Sequence, residues 1–481
     1  MAYYHGIKTG EQATALAAPA EVSVGITFAV GTAPVYQGQD GAGNVNKLIY
    51  ANSYSEAVAA LGYSDNWEDF TLCEVMKTHF GLYGVGPVIF VNVLDPDKHK
   101  ESVPAAEVTL VDGRAELPET AVLSTVVVKA SSSGDALVEG TDYTCFYNGG
   151  RLIVEAVKGG KLSGATAFIA YDKVKPSGVT SEDIIGGVDV GTGAKQGLEL
   201  VNSVFTKYGI VPEFIIAPGY SSDSAVAAVM AAKADSISGL FKGKAFIDAD
   251  CSDVKKYSDV YSWKSEKNIN GANQVLCWPM VSLSGKKYHL STHAAALAAS
   301  VDARNGGIPS ESPSNKTLQA DSTVLADGTE VLLELADANV LNSKGIVTAM
   351  NFAGRFALWG NETACFPNST DVKDYFLCIN RMFGYIAQTV TLTFWNKLDS
   401  KMTRRLIDCI IDTVNIWLNG LKTAEHILGG RIEFSEAENP LTDLMAGKMK
   451  FHIFVTPPSP AKEMEFVLEY DADYVSAALG G

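Results

Sequence analysis

Apolar residues along this chain change their spacing several times, and each change marks a change of architecture. Residues Val22–Val30 and Pro87–Leu94 (PVIFVNVL) are near-continuous apolar runs, the pattern of strands buried on both faces. Between them, Ser53–Leu61 has helical spacing with Ser53 or Ser55 as N-cap, and Trp67–Phe80 predicts a second helix stopped by Gly81 and Gly84. From Asp95 to Pro176 the period shortens. Runs at Ser124–Lys129, Tyr143–Tyr147, Arg151–Val157 and Thr166–Tyr171 alternate with Gly-rich turns, and Asn148-Gly149-Gly150 is a hairpin signal. Helix and strand then alternate again: helix Lys195–Tyr208, strand Glu213–Ala217, helix Ser222–Phe241 and strand Lys244–Asp248. A helix near Asp253–Trp263, strand Gln274–Pro279 and an Ala-rich helix around Tyr288–Ser300 follow. This predicts an α/β layer interrupted by an all-β insertion, which surface loops tolerate where their ends lie close together.

A polar loop, Arg304–Asp321, leads into the C-terminal third. Residues Asp371–Asn396 and Lys401–Lys422 have the spacing of two long helices. In the second, Ile407, Ile410, Ile411, Val414, Ile416, Trp417 and Leu421 are read as one broad apolar face. Strand-like runs Gly430–Phe434 and Lys448–Thr456 come next. Pro457, Pro458 and Pro460 then end the sheet pattern and read as a hinge, because proline lacks the donor that a sheet interior needs. Beyond Lys462, Met464, Phe466, Leu468 and Tyr470 alternate with Glu463, Glu465 and Glu469, the mark of a half-buried strand. Behind a proline tether, such a strand completes either its own sheet or a neighbour's.

The expected architecture is therefore multidomain, α/β plus α+β. It comprises an extended arm at 1–20, a discontinuous α/β domain at 21–94 and 178–340, and an inserted β-rich domain at 95–177. An α+β domain at 341–456 and a linker with an arm strand at 457–481 complete it.

Composition narrows the function. A formal net charge of −17 argues against a general binder of nucleic acid or anionic membranes. The 7 cysteines include no pair at CxxC spacing, which suggests reduced thiols rather than a zinc knuckle or redox pair. The first residues have no charged n-region or apolar h-region of a secretory signal, and no apolar run reaches membrane-spanning length.

Candidate chemistry is sparse. His289 and His293 have metal-ligand spacing on a helix, but no third ligand or intervening glutamate accompanies them. Gly186–Gly197 (GGVDVGTGAKQG) resembles a phosphate loop, yet Ala194 separates glycine from lysine and the dinucleotide spacing fails as well. It reads as a flexible return from the insertion. Asp248, Asp250 and Asp253 cluster at a strand end, where helix capping by Ser252 or Asp253 accounts for them. No catalytic, cofactor-binding or metal-binding residues are assigned, and no enzyme is expected.

Several stretches together resemble contractile tail sheath proteins, the family of phage tails and R-type bacteriocin particles. Tyr4-His5-Gly6-Ile7 is similar to the family's aromatic-His-Gly-aliphatic start, and Glu311–Lys316 (ESPSNK) to its Ser-Pro-Ser-Asn loop. Gly354–Thr363 (GRFALWGNET) resembles its Trp-Gly-Asn-Arg-Thr run, with Glu362 where arginine is common. The resemblance implies a homo-oligomer of stacked hexameric rings around a tail tube, contacting baseplate and tail terminator proteins, assembled in bacterial host cytoplasm. It implies no cofactor, no direct nucleic-acid contact and no membrane insertion. It also implies that both arms, through Tyr4, His5, Gly6, Ile7, Met464, Phe466, Leu468 and Tyr470, add strands to neighbouring subunits. The rival expectations are a secretion-system-type sheath or other shell protein, and an α/β enzyme with an unrecognised site.

Overall fold

The computed structural model describes residues 19–20, 24–471 and 473–479. Its largest element is an eight-stranded sheet, and the apolar runs explain it. Strand β1 (Thr27–Gly31) is buried along its whole length. It pairs in parallel with β3 (Val88–Asn92), which is antiparallel to the edge strand β2 (Ile49–Ala51). On its other side β1 is parallel to the chain's later strands, β12 (Phe214–Ile216), β13 (Lys244–Asp248), β14 (Gln274–Cys277) and β18 (Ile346–Phe352) in spatial order. Antiparallel β19 (Arg355–Trp359) closes the far edge. Since β18 and β19 belong to this sheet, the layer runs past residue 340, where the sequence reading had ended it.

Helices cover the sheet. α1 (Tyr54–Leu61) starts as expected, with the Ser53 side chain accepting from the Glu56 N–H. The second helix differs from expectation. α2 spans only Thr71–Met76 and continues as a π-helical segment, Lys77–Tyr83, ended by left-handed Gly84. Further helices are α3 (Ser181–Ile185), α4 (Val204–Tyr208, entered through a 3-10 segment from Gly197), α5 (Ser224–Asp235) and α6 (Val260–Glu266). α7 (Leu290–Arg304) is buried nearly all round, and α8 (Leu335–Asn342) lies beside β18. Between Asp248 and α6 the chain turns without helix: Asp250 Oδ1 accepts the Ser252 N–H at 2.9 Å, and Asp259 is the residue at the N-cap of α6. Ser252 and Asp253 are thus not helix caps, correcting that expectation.

The insertion is two three-stranded antiparallel sheets. One has the order β4 (Lys100–Thr109), β9 (Thr166–Val174), β6 (Val127–Lys129). The other has β5 (Arg114–Leu117), β8 (Arg151–Ala156), β7 (Tyr143–Asn148). They enclose a separate apolar cluster that includes Leu117, Val128, Leu152, Val154 and Ile169. Asn148 pairs with Arg151 across Gly149 (φ 57) and Gly150 (φ 81), the positive pair of a tight I′ turn. Lys100 pairs with Val174, so the inserted segment leaves and rejoins the body at neighbouring points. Short hairpins β10/β11 (Gly187–Val188 with Lys195–Gln196) and β15/β16 (Met280–Leu283 with Lys286–Tyr288), the latter joined by β17 (Ser322–Val324), lie outside the main sheet.

The C-terminal helices are α9 (Val372–Tyr375), α10 (Leu377–Phe394) and α11 (Arg404–Thr423). The expected single helix Asp371–Asn396 is broken at Phe376, which is extended and bridged to Glu362. α11 packs on the antiparallel pair β20 (Gly429–Glu433) and β21 (His452–Thr456), with α12 (Leu441–Met445) in the connection between them. Met382, Ile410, Val414, Leu418, Leu421, Ile427 and Ile432 form the core here. Ile416, assigned from spacing to the buried face, is 56% exposed, and Leu418 takes its place. A short helix, α13 (Asp473–Leu479), comes last.

A buried charge cluster joins α10 to the body. Arg381 donates to Glu213 Oε1 (2.5 Å) and Oε2 (2.9 Å), and to Asp302 Oδ1 (3.2 Å), with Phe214 stacked 4.7 Å away. Burial pushes the Asp302 carboxyl up, while Arg381 draws it back toward the ionised state.

Candidate subunit interface

Three segments far apart in sequence meet in one groove of about 780 Å³: the Ser310–Lys316 loop, the stretch following β19, and the linker Pro458–Glu463. The loop is held to β19 by backbone and side chain. Asn315 N donates to Leu358 O at 2.6 Å, Arg355 donates to Asn315 O (3.2 Å) and Oδ1 (2.7 Å), and the Gly360 N–H reaches Ser314 Oγ at 3.0 Å. Ser312 Oγ donates to Asn361 Oδ1. Asn315 has a positive φ of 59, which asparagine tolerates better than most residues. The short polar residues here hold the loop in place through both backbone and side-chain partners.

Glu362 lies at the back of the groove, 2% exposed, and Lys462 Nζ sits 2.6 Å from its Oε1. The same ammonium lies 5.1 Å from the Phe366 ring. The hinge prolines are therefore partly docked: Pro457 is buried, and Pro458 and Pro460 are half-buried. Beyond Lys462 the expected strand is not formed: residues 463–471 carry no secondary structure and no β partner among the described residues. The alternating side chains stand in solvent, with Met464 72%, Phe466 83%, Leu468 95% and Tyr470 84% exposed. Tyr4, His5, Gly6 and Ile7 lie outside the described residues. Where the N-terminal segment becomes described, Ala20 N donates to Thr393 Oγ1 of α10 at 2.9 Å.

The β20–β21 pair is the nearest sheet to this tail in sequence. Two strands are marginal alone, and here each has one neighbour only among the described residues. Leu428 (64%) and Phe454 (42%) are exposed beside it, with the Arg431 guanidinium 4.2 Å from the Phe454 ring.

The constellations weighed for chemistry resolve into structure. His289 Nδ1 is 2.8 Å from Glu74 Oε2, and His293 Nδ1 is 3.1 Å from the Tyr83 hydroxyl, so the two rings serve different partners. Burial opposes the His289 imidazolium, but Glu74 and, beyond it, Asp248 outweigh burial and lift the pKa to about 9. Burial drives His293 down to about 3 and His79 to about 4. Asp248, whose carboxyl burial pushes up, accepts from the Ser291 N–H at 2.9 Å and contacts Ser221 Oγ at 3.2 Å, tying α7 to β13. Gly186 and Gly197 flank the small β10/β11 hairpin, where a Cβ on Gly186 would lie 2.0 Å from Gln196 O. No group of three or more His, Cys, Asp or Glu among the described residues is arranged to hold a metal, and no described helix is long and apolar enough to cross a membrane.

No family model matches the chain. Over its entire length it is 28% identical to the tail sheath protein of Burkholderia phage BcepMu, covering 99% of that protein. The fold is that of the anti-feeding prophage helical sheath in its contracted state, with TM-score 0.59, 12% identity, and 98% of this chain and 100% of that one covered. An extracellular contractile injection system sheath in its contracted state matches with TM-score 0.59 and 11% identity, covering 98% and 99%. The kinship with contractile tail sheath proteins, read from the motifs, is borne out.

The structure gives the motif residues a common location. The Ser-Pro-Ser-Asn loop, the Gly-Asn-Glu-Thr stretch and the linker each looked separate in sequence, yet all border the same groove. What the sequence missed is the partner of Glu362. Its reversal of the usual charge is matched by Lys462, a hundred positions downstream, and only proximity reveals that.

Proposed function

We propose that the chain is the structural subunit of a contractile tail sheath, polymerising around a tail tube and shortening to drive it through a cell envelope. The observation that carries this reading is an alternating apolar segment left unpaired at the end of a chain that matches a tail sheath protein from end to end. Met464, Phe466, Leu468 and Tyr470 supply register through one face, while main-chain groups supply hydrogen bonds to the free edge of a neighbour's sheet. The β20–β21 pair of the next subunit is the sheet this strand extends, and the segment around Tyr4–Ile7 contributes from the other end. The C-terminal unit of α10, α11, β20 and β21 with the two arms lines the tube, while the α/β body, β18 and β19 included, and the insertion at 95–177 face outward.

The rings are hexameric, and tube, baseplate and terminator proteins are the further partners. Contraction follows from two packings of rigid bodies tied by linkers. A preference of a few kcal/mol per subunit for the shorter lattice is enough when many subunits move together. No nucleotide or cofactor enters the stroke. The test is truncation after Pro460. The shortened chain should remain a folded monomer and form no long tubes in negative-stain microscopy, and normal tubes from it would overturn the proposal.

A further inference from the structure

The segment after Thr456 is not uniformly loose. Pro457 is buried, Pro458, Ser459 and Pro460 border the groove, Lys462 is paired with Glu362, and every residue from Glu463 through Asp471 is exposed. Among the described residues, the Lys462–Glu362 contact is the one ion pair between this segment and the rest of the molecule. Glu362 presents one oxygen to the Asn361 N–H at 3.1 Å and the other to Lys462 at 2.6 Å; its side chain is 2% exposed and the lysine's 50%, so salt screens the pair in part. Without Lys462 that buried carboxylate would face the groove unpaired, which is costly.

We propose that Lys462 and Glu362 form a clip that fixes the point from which the terminal strand leaves the body. Lys462 is thus a positioning residue for delivering Met464–Tyr470 to a second copy of this chain. With the clip closed, the free tether starts at Glu463. With it open, residues 457–462 join the tether and add about 20 Å of reach. A shorter tether confines the strand to a smaller volume near one exit, raising its effective concentration at a correctly placed neighbour and lowering it elsewhere. The Phe366 ring, 5.1 Å from the ammonium, also favours a cation at this position over a neutral group. The inference rests on the sheath reading for its partner, but the clip itself belongs to the single chain.

The two parts are tested separately on the full-length protein. Lys462–Glu463 is a tryptic bond, and cleavage there follows the population of the open segment when opening is fast. Glu362→Gln keeps the shape and the Asn361 contact but removes the charge. It should speed cleavage after Lys462, read by mass spectrometry as loss of residues 463–481, by about tenfold. Cleavage at the wild-type rate in Glu362→Gln would overturn the clip whatever the assembly does. In negative-stain titrations, Glu362→Gln and Lys462→Gln should both raise the subunit concentration needed for tubes by about tenfold, and Lys462→Arg should restore it. Tubes from Glu362→Gln and Lys462→Gln at the wild-type concentration would overturn the positioning role. Absence of tubes from the wild-type chain would instead sink the sheath reading, and the positioning role with it, while the cleavage rates still decide the clip.

Discussion

The α/β body and the C-terminal tail use the same kinds of residue in opposite ways. In the body, β1, β3 and β13 are buried along their length, and the charged groups beneath them have partners: Arg381 between Glu213 and Asp302, His289 on Glu74. In the tail, Phe466 and Leu468 are 83% and 95% exposed. Full burial of such a side chain contributes about 1.5–3 kcal/mol. The body has that gain within one molecule. The tail does not have it, and under the proposed strand donation a neighbouring copy supplies it. One chain thus holds a self-sufficient part and an unfinished part, and substitutions should affect the two differently.

The sharpest way to break the contrast is at Arg381. Its guanidinium is fully buried between two carboxylates, so Arg381→Met leaves Glu213 and Asp302 without the cation that bridges them. Removing one member of a buried ionic cluster costs about 3–5 kcal/mol. Denaturant unfolding should show a loss of that size. A loss below about 1 kcal/mol would mean the cluster is not what joins α10 to the body.

His289 gives a smaller effect with a defined pH window. Its folded pKa, about 9, lies above the ordinary histidine value, so the folded state binds the proton more tightly than the unfolded chain. The stabilisation is therefore complete below the unfolded value of about 6.5 and disappears as pH rises through 9. Burial pushes Lys244 and Lys264 down to about 8, which acts in the opposite sense at alkaline pH. The difference between the wild type and His289→Gln cancels that common background. It should be larger at pH 6 than at pH 10 by about 3 kcal/mol. A difference independent of pH would show that His289 is held by packing alone.

Much of the body was legible because its signals are local. The strands Lys244–Asp248 and Gln274–Cys277 form around the apolar runs Ala245–Ile247 and Val275–Cys277, Ser53 caps its helix as an N-cap serine should, and the double glycine at 149–150 turns its hairpin. The misreadings have longer-range causes. Phe376 interrupts a good helical period because it bridges Glu362, and the helix expected from Trp67 starts at Thr71. Thr71 N is taken by Thr32 Oγ1 at 3.1 Å, from another part of the sheet. The strands past residue 340 could not be assigned to the main sheet from spacing, since register with Leu276 and Cys277 is a property of the folded chain. The groove was least legible of all: its motifs were visible, but the Glu362–Lys462 pair joins positions no local pattern connects.

The tail supplies the smallest effect on folding and, with it, the finest test of the contrast. Phe466→Ser with Leu468→Ser alters two side chains that are already in water, so the folded chain should change in stability by no more than about 0.5 kcal/mol. Assembly should respond quite differently. If both side chains enter slots on a neighbour, their loss forfeits about 3–6 kcal/mol at each junction, enough to abolish tubes at any practical concentration. Thermal unfolding of the monomer and negative-stain microscopy of the same preparation measure the two sides together. A variant that loses monomer stability in step with assembly would place the strand on its own body, because a side chain cannot support the monomer's fold while exposed. Unchanged stability with lost tubes leaves one explanation, that these residues find their apolar surroundings on another copy.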